Sequence, residues 1–104
     1  MRPTVNDYID HVAYVADLVG IDHVGIGSDF FDGESEVRFQ KFFKVRYPDI
    51  VRNYTLETIY ADGFNTPACF PRLTEGLVKR GFSDADILKI LGGNFYRVFD
   101  TVWR

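Results

Sequence analysis

The sequence predicts an α/β fold, and three observations predict it. Apolar residues recur at helical spacing over residues 5–19. A short run, "VGIG", with apolar residues at alternate positions, follows after a brief turn. The last third of the chain then returns to helical periodicity. Helix, short turn and buried strand make half of an α/β repeat. With 104 residues, 46% hydrophobic and 16% aromatic, the chain has the material for one packed core.

In the first zone Tyr8, Ile9, Val12, Ala13, Val15, Ala16 and Val19 line a helix over residues 5–19. Thr4 with Asp7 makes a capping box at its start, and Gly20 is suited to stop it. Val24-Gly25-Ile26-Gly27 is too short for another helix. It predicts a parallel, largely buried strand over residues 22–29, approached closely at its glycines from both sides.

The second zone, Glu34 to Ala61, reads as irregular, with one short helix marked by Phe39, Phe42 and Phe43 before Pro48. Its basic residues (Arg38, Lys41, Lys44, Arg46, Arg52) nearly balance Glu34, Glu36, Asp49 and Glu57, so it is a mixed surface and not a basic patch. A long excursion after a strand serves either as a lid over a site or as a flap over apolar surface.

The third zone opens with the loop "YADGFNTPACFPRL". Leu73, Leu77 and Val78 mark a helix stopped at Gly81, Ser83 with Asp86 caps the next, and Gly92-Gly93 break it before a final helix that Asn94 is placed to cap.

A formal charge of -3 and a pI near 5.2 argue against a surface that gathers nucleic acid or anionic lipid. Cys69 is the single cysteine, so no intrachain disulfide forms, and one thiol with His11 and His23 does not assemble a zinc site. Cys69 reads as a small buried hydrophobe. The start "MRPTVNDYID" lacks the apolar stretch of a signal peptide, and no run approaches the roughly 20 apolar residues of a spanning helix. A cytoplasmic location is the expectation.

The stretch "HVGIGSDFFDG" carries the functional signal. In parallel α/β structures the carboxyl ends of strands form the rim where ligands bind, so Asp29, at the end of the expected strand, would face a pocket. The other reading has Asp29 closing a turn with its carboxylate on backbone N–H groups. Position alone leaves both open.

"GIDHVGIGSDF", followed by "FPRLTEGLVKRGFSDADILKILGGNFYRVF", resembles the carboxyl-terminal part of the membrane dipeptidase (renal dipeptidase) family of zinc metallopeptidases, in the amidohydrolase superfamily. The resemblance covers nearly the whole chain, with its pieces in the family's order. It departs in reading "GSDFFDG" where "GSDFDG" is usual, and in the long aromatic excursion. The resemblance implies a carboxyl-terminal fragment of a (β/α)8 TIM-type barrel: helix, last barrel strand, long loop, terminal helices. A whole barrel of that kind needs about 250 residues.

It also implies dipeptide or related small-amide hydrolysis at a binuclear zinc centre. The family's strand-end acid falls on Asp29, with the implied role of general acid/base beside a metal-bridging hydroxide. The zinc ligands, a His-x-Asp pair with Glu and two His, would lie outside these 104 residues, so no metal ligand is assigned here and the isolated chain is expected to be inactive. Asp32, its register shifted by Phe31, reads as a loop cap, and His11 and His23 as structural residues. A homodimer is a possible assembly. Two other readings are a TatD-like metal-dependent nuclease, whose terminal "GNF" helices are similar, and a non-enzymatic module that binds through an exposed aromatic patch at residues 39–43.

Overall fold

A computed structural model describes residues 2–31 and 33–103. Helix α1 spans Val5–Val19 as expected. The Asp7 carboxylate accepts from both the Thr4 backbone N–H (2.7 Å) and its hydroxyl (3.0 Å), which meets the orphan donor at the helix start. Gly20, at φ 91°, ends the helix in a conformation that suits glycine.

The expected strand over residues 22–29 is not a strand. Ile21–His23 form a 3₁₀ turn, and residues 24–31 run on without regular structure. Among the described residues the bridges are isolated ones, Thr4 with Asp62 and Ala61 with Phe64, and neither involves this segment. A strand exists only through a partner ladder. Here side chains from elsewhere meet the backbone instead. Asn94 Nδ2 donates to the carbonyls of Ile21 (2.7 Å) and Val24 (2.9 Å), and Arg97 donates to that of Asp22 (2.6 Å). Burial departs from expectation as well: Val24 is buried, whereas Gly25, Gly27 and Asp29 are exposed. A side chain at Gly25 would overlap the Phe95 ring, but Gly27 faces open space, so only one of the two glycines answers to a close approach.

The excursion holds two helices where one was expected: α2, Glu36–Arg46, and α3, Pro48–Val51. Ser35 caps α2 by accepting the Arg38 N–H. The Glu36 carboxylate accepts the Leu56 N–H at 2.7 Å, and Gln40 donates to the Tyr54 carbonyl, so the return loop is tied to the first turns of α2.

In the last third α4 is Phe70–Lys79 and α5 is Asp84–Leu88, the latter capped by Ser83 through the Asp86 N–H as read from the sequence. A wide turn, Lys89–Gly93, leads into α6, Asn94–Val102. Asn94 does not cap α6. Its backbone is already helical, and its buried side chain reaches away to the 21–24 segment.

The core joins Ile9 and Val12 of α1, Val24, Phe64, Leu73 and Leu77 of α4, Ile87, and Ile90. The neighbours Phe30 and Phe31 serve different clusters. Phe30 packs edge-on against Phe64 (5.1 Å), and Phe31 meets Phe39 and Phe43 of α2 (6.2 and 5.9 Å). No helix among the described residues is long and apolar enough to cross a membrane.

Candidate active site

Asp29 is the one non-glycine residue with positive φ among those described, at 53°. A left-handed non-glycine backbone costs of order 1–3 kcal/mol and persists only where its surroundings hold it. Tyr60 holds it. The Tyr60 hydroxyl donates to the Asp29 carbonyl at 2.7 Å and accepts the Phe31 N–H at 2.7 Å, and its ring packs edge-on to Phe30. Burial raises the Tyr60 phenol above its ordinary value. The Phe31 N–H works against that rise, and the Asp29 charge adds to it, so the phenol stays protonated and able to donate at neutral pH.

Asp29 stands on the wall of a cavity of about 250 Å³ lined also by Ser28, Phe31, Phe39, Phe43, Ile59 and Tyr60. The far wall is therefore built by the excursion. Among the described residues no hydrogen-bond donor or cation meets the Asp29 carboxylate. The turn that follows carries a hydrogen bond from the Glu34 N–H to the Phe31 carbonyl (3.1 Å) and the two made by the Tyr60 hydroxyl. Asp32, the other acid of the motif, lies outside the described residues.

His11 and His23 are exposed, and both line one groove of about 370 Å³ with Tyr8, Val12, Val15, Val24 and Gly25. The fold thus brings together two residues that the sequence left on separate elements. Among the described residues no group of three or more His, Cys, Asp or Glu could hold a metal ion.

Cys69 departs from its expected burial. It is half-buried at the core's edge, with its sulfur 3.5 Å from Asn65 Oδ1 and 3.6 Å from Thr66 Oγ1. The thiol is drawn below its ordinary range, first by the Asn65 backbone and then by the Thr66 hydroxyl. The aromatic run at 39–43 is not an exposed patch. Phe39 is buried and Phe43 half-buried, with Phe42 alone of the three facing outward.

Two residues that shape the site were missed from the sequence, Tyr60 and Asn94 in its packing role. Tyr60 is 31 positions from Asp29, and no local pattern could have linked them.

Comparison with known proteins bears on the same segments. The family model for membrane dipeptidase (peptidase family M19) matches residues 1–53 and 52–104. The chain is 36% identical over 100 residues to dipeptidase verJ of Clonostachys rogersoniana, covering 96% of this chain and 20% of that protein. It is 35% identical over 94 residues to dipeptidase ataJ of Aspergillus terreus, covering 90% of this chain and 17% of that one. The chain thus spans about a fifth of the length of these relatives. In structure it is similar to an amidohydrolase from Pseudomonas aeruginosa, with a TM-score of 0.79 and 32% identity over 98% of this chain and 31% of the other. A match along the whole chain, joined to this likeness in fold, places the chain in the membrane dipeptidase family of the amidohydrolase superfamily.

Proposed function

We propose that the chain forms the carboxyl-terminal part of a dipeptidase barrel and supplies Asp29 as the general acid/base for hydrolysis of a dipeptide or related small amide. One observation carries this reading: Asp29 lines a cavity, its carboxylate unengaged by the described residues, on a backbone in the left-handed region that non-glycine residues seldom adopt. As water adds to the scissile carbonyl carbon, the carboxylate takes the proton that water gives up. As the C–N bond breaks, the carboxyl returns that proton to the leaving nitrogen, and the products are a carboxylic acid and an amine. Asp29 ends each turnover as it began.

Proteins of this family are generally metal-dependent, with zinc implied by the resemblance. The described residues do not fit such a centre, since they gather no group of three or more ligands. No metal ligand is assigned to this chain and no step is drawn through one.

The test replaces the matched segment of the Clonostachys dipeptidase with this chain and compares Asp29→Asn with the unsubstituted chimera at equal metal content. A folded chimera should hydrolyse a simple dipeptide. Asp29→Asn should lower kcat by roughly 10²–10⁴-fold with a smaller change in KM. Asp32→Asn, the control, should lose far less. Full kcat in the Asp29 variant, or a collapse confined to the Asp32 variant, overturns the assignment.

A further inference from the structure

We propose that Tyr60 is a positioning residue for Asp29, its hydroxyl clamping the peptide groups on both sides of Phe30 so that the carboxylate keeps one direction. The inference rests on the acid/base reading of Asp29 and deepens it.

The geometry is specific to this task. One oxygen, at 2.7 Å from each partner, holds the Asp29 carbonyl and the Phe31 N–H together. The orientations of the 29–30 and 30–31 peptide planes are then set by a single group. The Asp29 carbonyl lies in the plane that follows its Cα, so holding it restrains ψ at Asp29, and with it the left-handed φ/ψ pair at φ 53°, against relaxation to negative φ, where L-residues are more stable. Such a relaxation swings the Cα–Cβ bond and re-aims the carboxylate by more than a catalytic geometry tolerates.

General packing does not account for the hydroxyl. The Tyr60 ring makes its apolar contact with Phe30 at 5.3 Å, and a phenylalanine would make the same contact. The hydroxyl's hydrogen bonds both fall on the turn that contains Asp29, on backbone groups and not on its carboxylate, and Asp29 lines the cavity. Tyr60 itself is held from behind. The Arg2 guanidinium reaches the Glu57 carbonyl at 2.7 Å and the Tyr60 carbonyl at 3.4 Å, which fixes the return loop that carries the phenol.

The test is Tyr60→Phe, which removes only the hydroxyl. In the 104-residue chain, amide exchange at Phe31 should quicken by about tenfold, the loss expected for one hydrogen bond. The Asp29 Cα and Cβ shifts should move from left-handed toward extended values, and exchange at Asp86, capped by Ser83, should stay unchanged. In the Clonostachys chimera the same substitution should lower kcat by about 10–100-fold with KM nearly constant. Asp29 shifts and kcat both unaltered in Tyr60→Phe, with only the melting point lowered, would reduce Tyr60 to packing and overturn the proposal. An unprotected Phe31 amide in the unsubstituted chain overturns it without any variant. If Asp29→Asn keeps its turnover while Tyr60→Phe still shifts Asp29, the clamp stands and the acid/base reading falls. If Asp29→Asn collapses and Tyr60→Phe does not, the clamp falls alone.

Discussion

Replacing Asn94 by alanine should be among the most damaging single changes in this chain. The side chain is 5% exposed, and its amide donates to two carbonyls, Ile21 at 2.7 Å and Val24 at 2.9 Å, while its oxygen accepts from Arg97 at 2.9 Å. Alanine removes both donors and leaves the buried Val24 carbonyl without them. Two net hydrogen bonds at about 0.5–1.5 kcal/mol each, plus about 1 kcal/mol for the buried acceptor left unmet, give about 2–4 kcal/mol. For a domain of this size that lowers the melting temperature by roughly 10–30 °C. Urea and thermal unfolding followed by circular dichroism measure it. Asn94→Asp keeps the shape but sets a carboxylate against two carbonyls, so it should be at least as unstable as the alanine variant. An Asn94→Ala protein within about 0.5 kcal/mol of the parent would refute the view that this amide anchors the 21–24 segment to α6.

Gly25→Ala drives a methyl into the Phe95 ring and should cost about 1–3 kcal/mol; because that ring is partly exposed, Gly25→Ala with Phe95→Ala should be clearly less than additive in urea unfolding. On the acid side, Asp7, held down chiefly by the Thr4 N–H, and Asp22, held down chiefly by its hydrogen bond from Lys89, both have folded pKa values below the ordinary 3.8. Their stabilisation is present above that value and is lost as pH falls through the folded values. On the alkaline side, burial raises Tyr8 and Tyr60 above 10.0, so their contribution is present below pH 10.0 and lost as pH rises past it. The urea midpoint should therefore fall off at both ends, and a midpoint that rises below pH 3.8 would contradict the acid half.

Helices were legible in the sequence because their determinants are local. Thr4 with Asp7, Gly20, Ser83 with Asp86, and the spacing of Leu73 and Leu77 lie within one or two turns of the structure they specify. What failed was whatever depended on a distant partner. "VGIG" has a strand's pattern, but pairing decides whether a strand forms, and the groups that meet this segment come from Asn94 and Arg97, some 70 residues away. Asn94 was misread because asparagine ahead of an apolar helix ordinarily caps it, and only the fold shows that Ile21 and Val24 compete for its amide.

The additional phenylalanine in "GSDFFDG" illustrates how one residue can join a site to a new surface. Were the motif "GSDFDG", Phe30 alone would follow Asp29, and Phe30 is committed to the core through Phe64 and Phe70. Phe31 packs on the other side, against Phe39 and Phe43, and both of those rings line the cavity that Asp29 borders. The inserted ring therefore gives the excursion an apolar anchor two residues along from the Asp29 carbonyl that Tyr60 holds. Tyr60, on the returning end of the same excursion, closes the link by holding the Phe31 N–H. Both ends of residues 34–61 are thus tied to one turn, so a change in α2 that displaces Phe39 or Phe43 acts on the same peptide groups that the Tyr60 hydroxyl bridges.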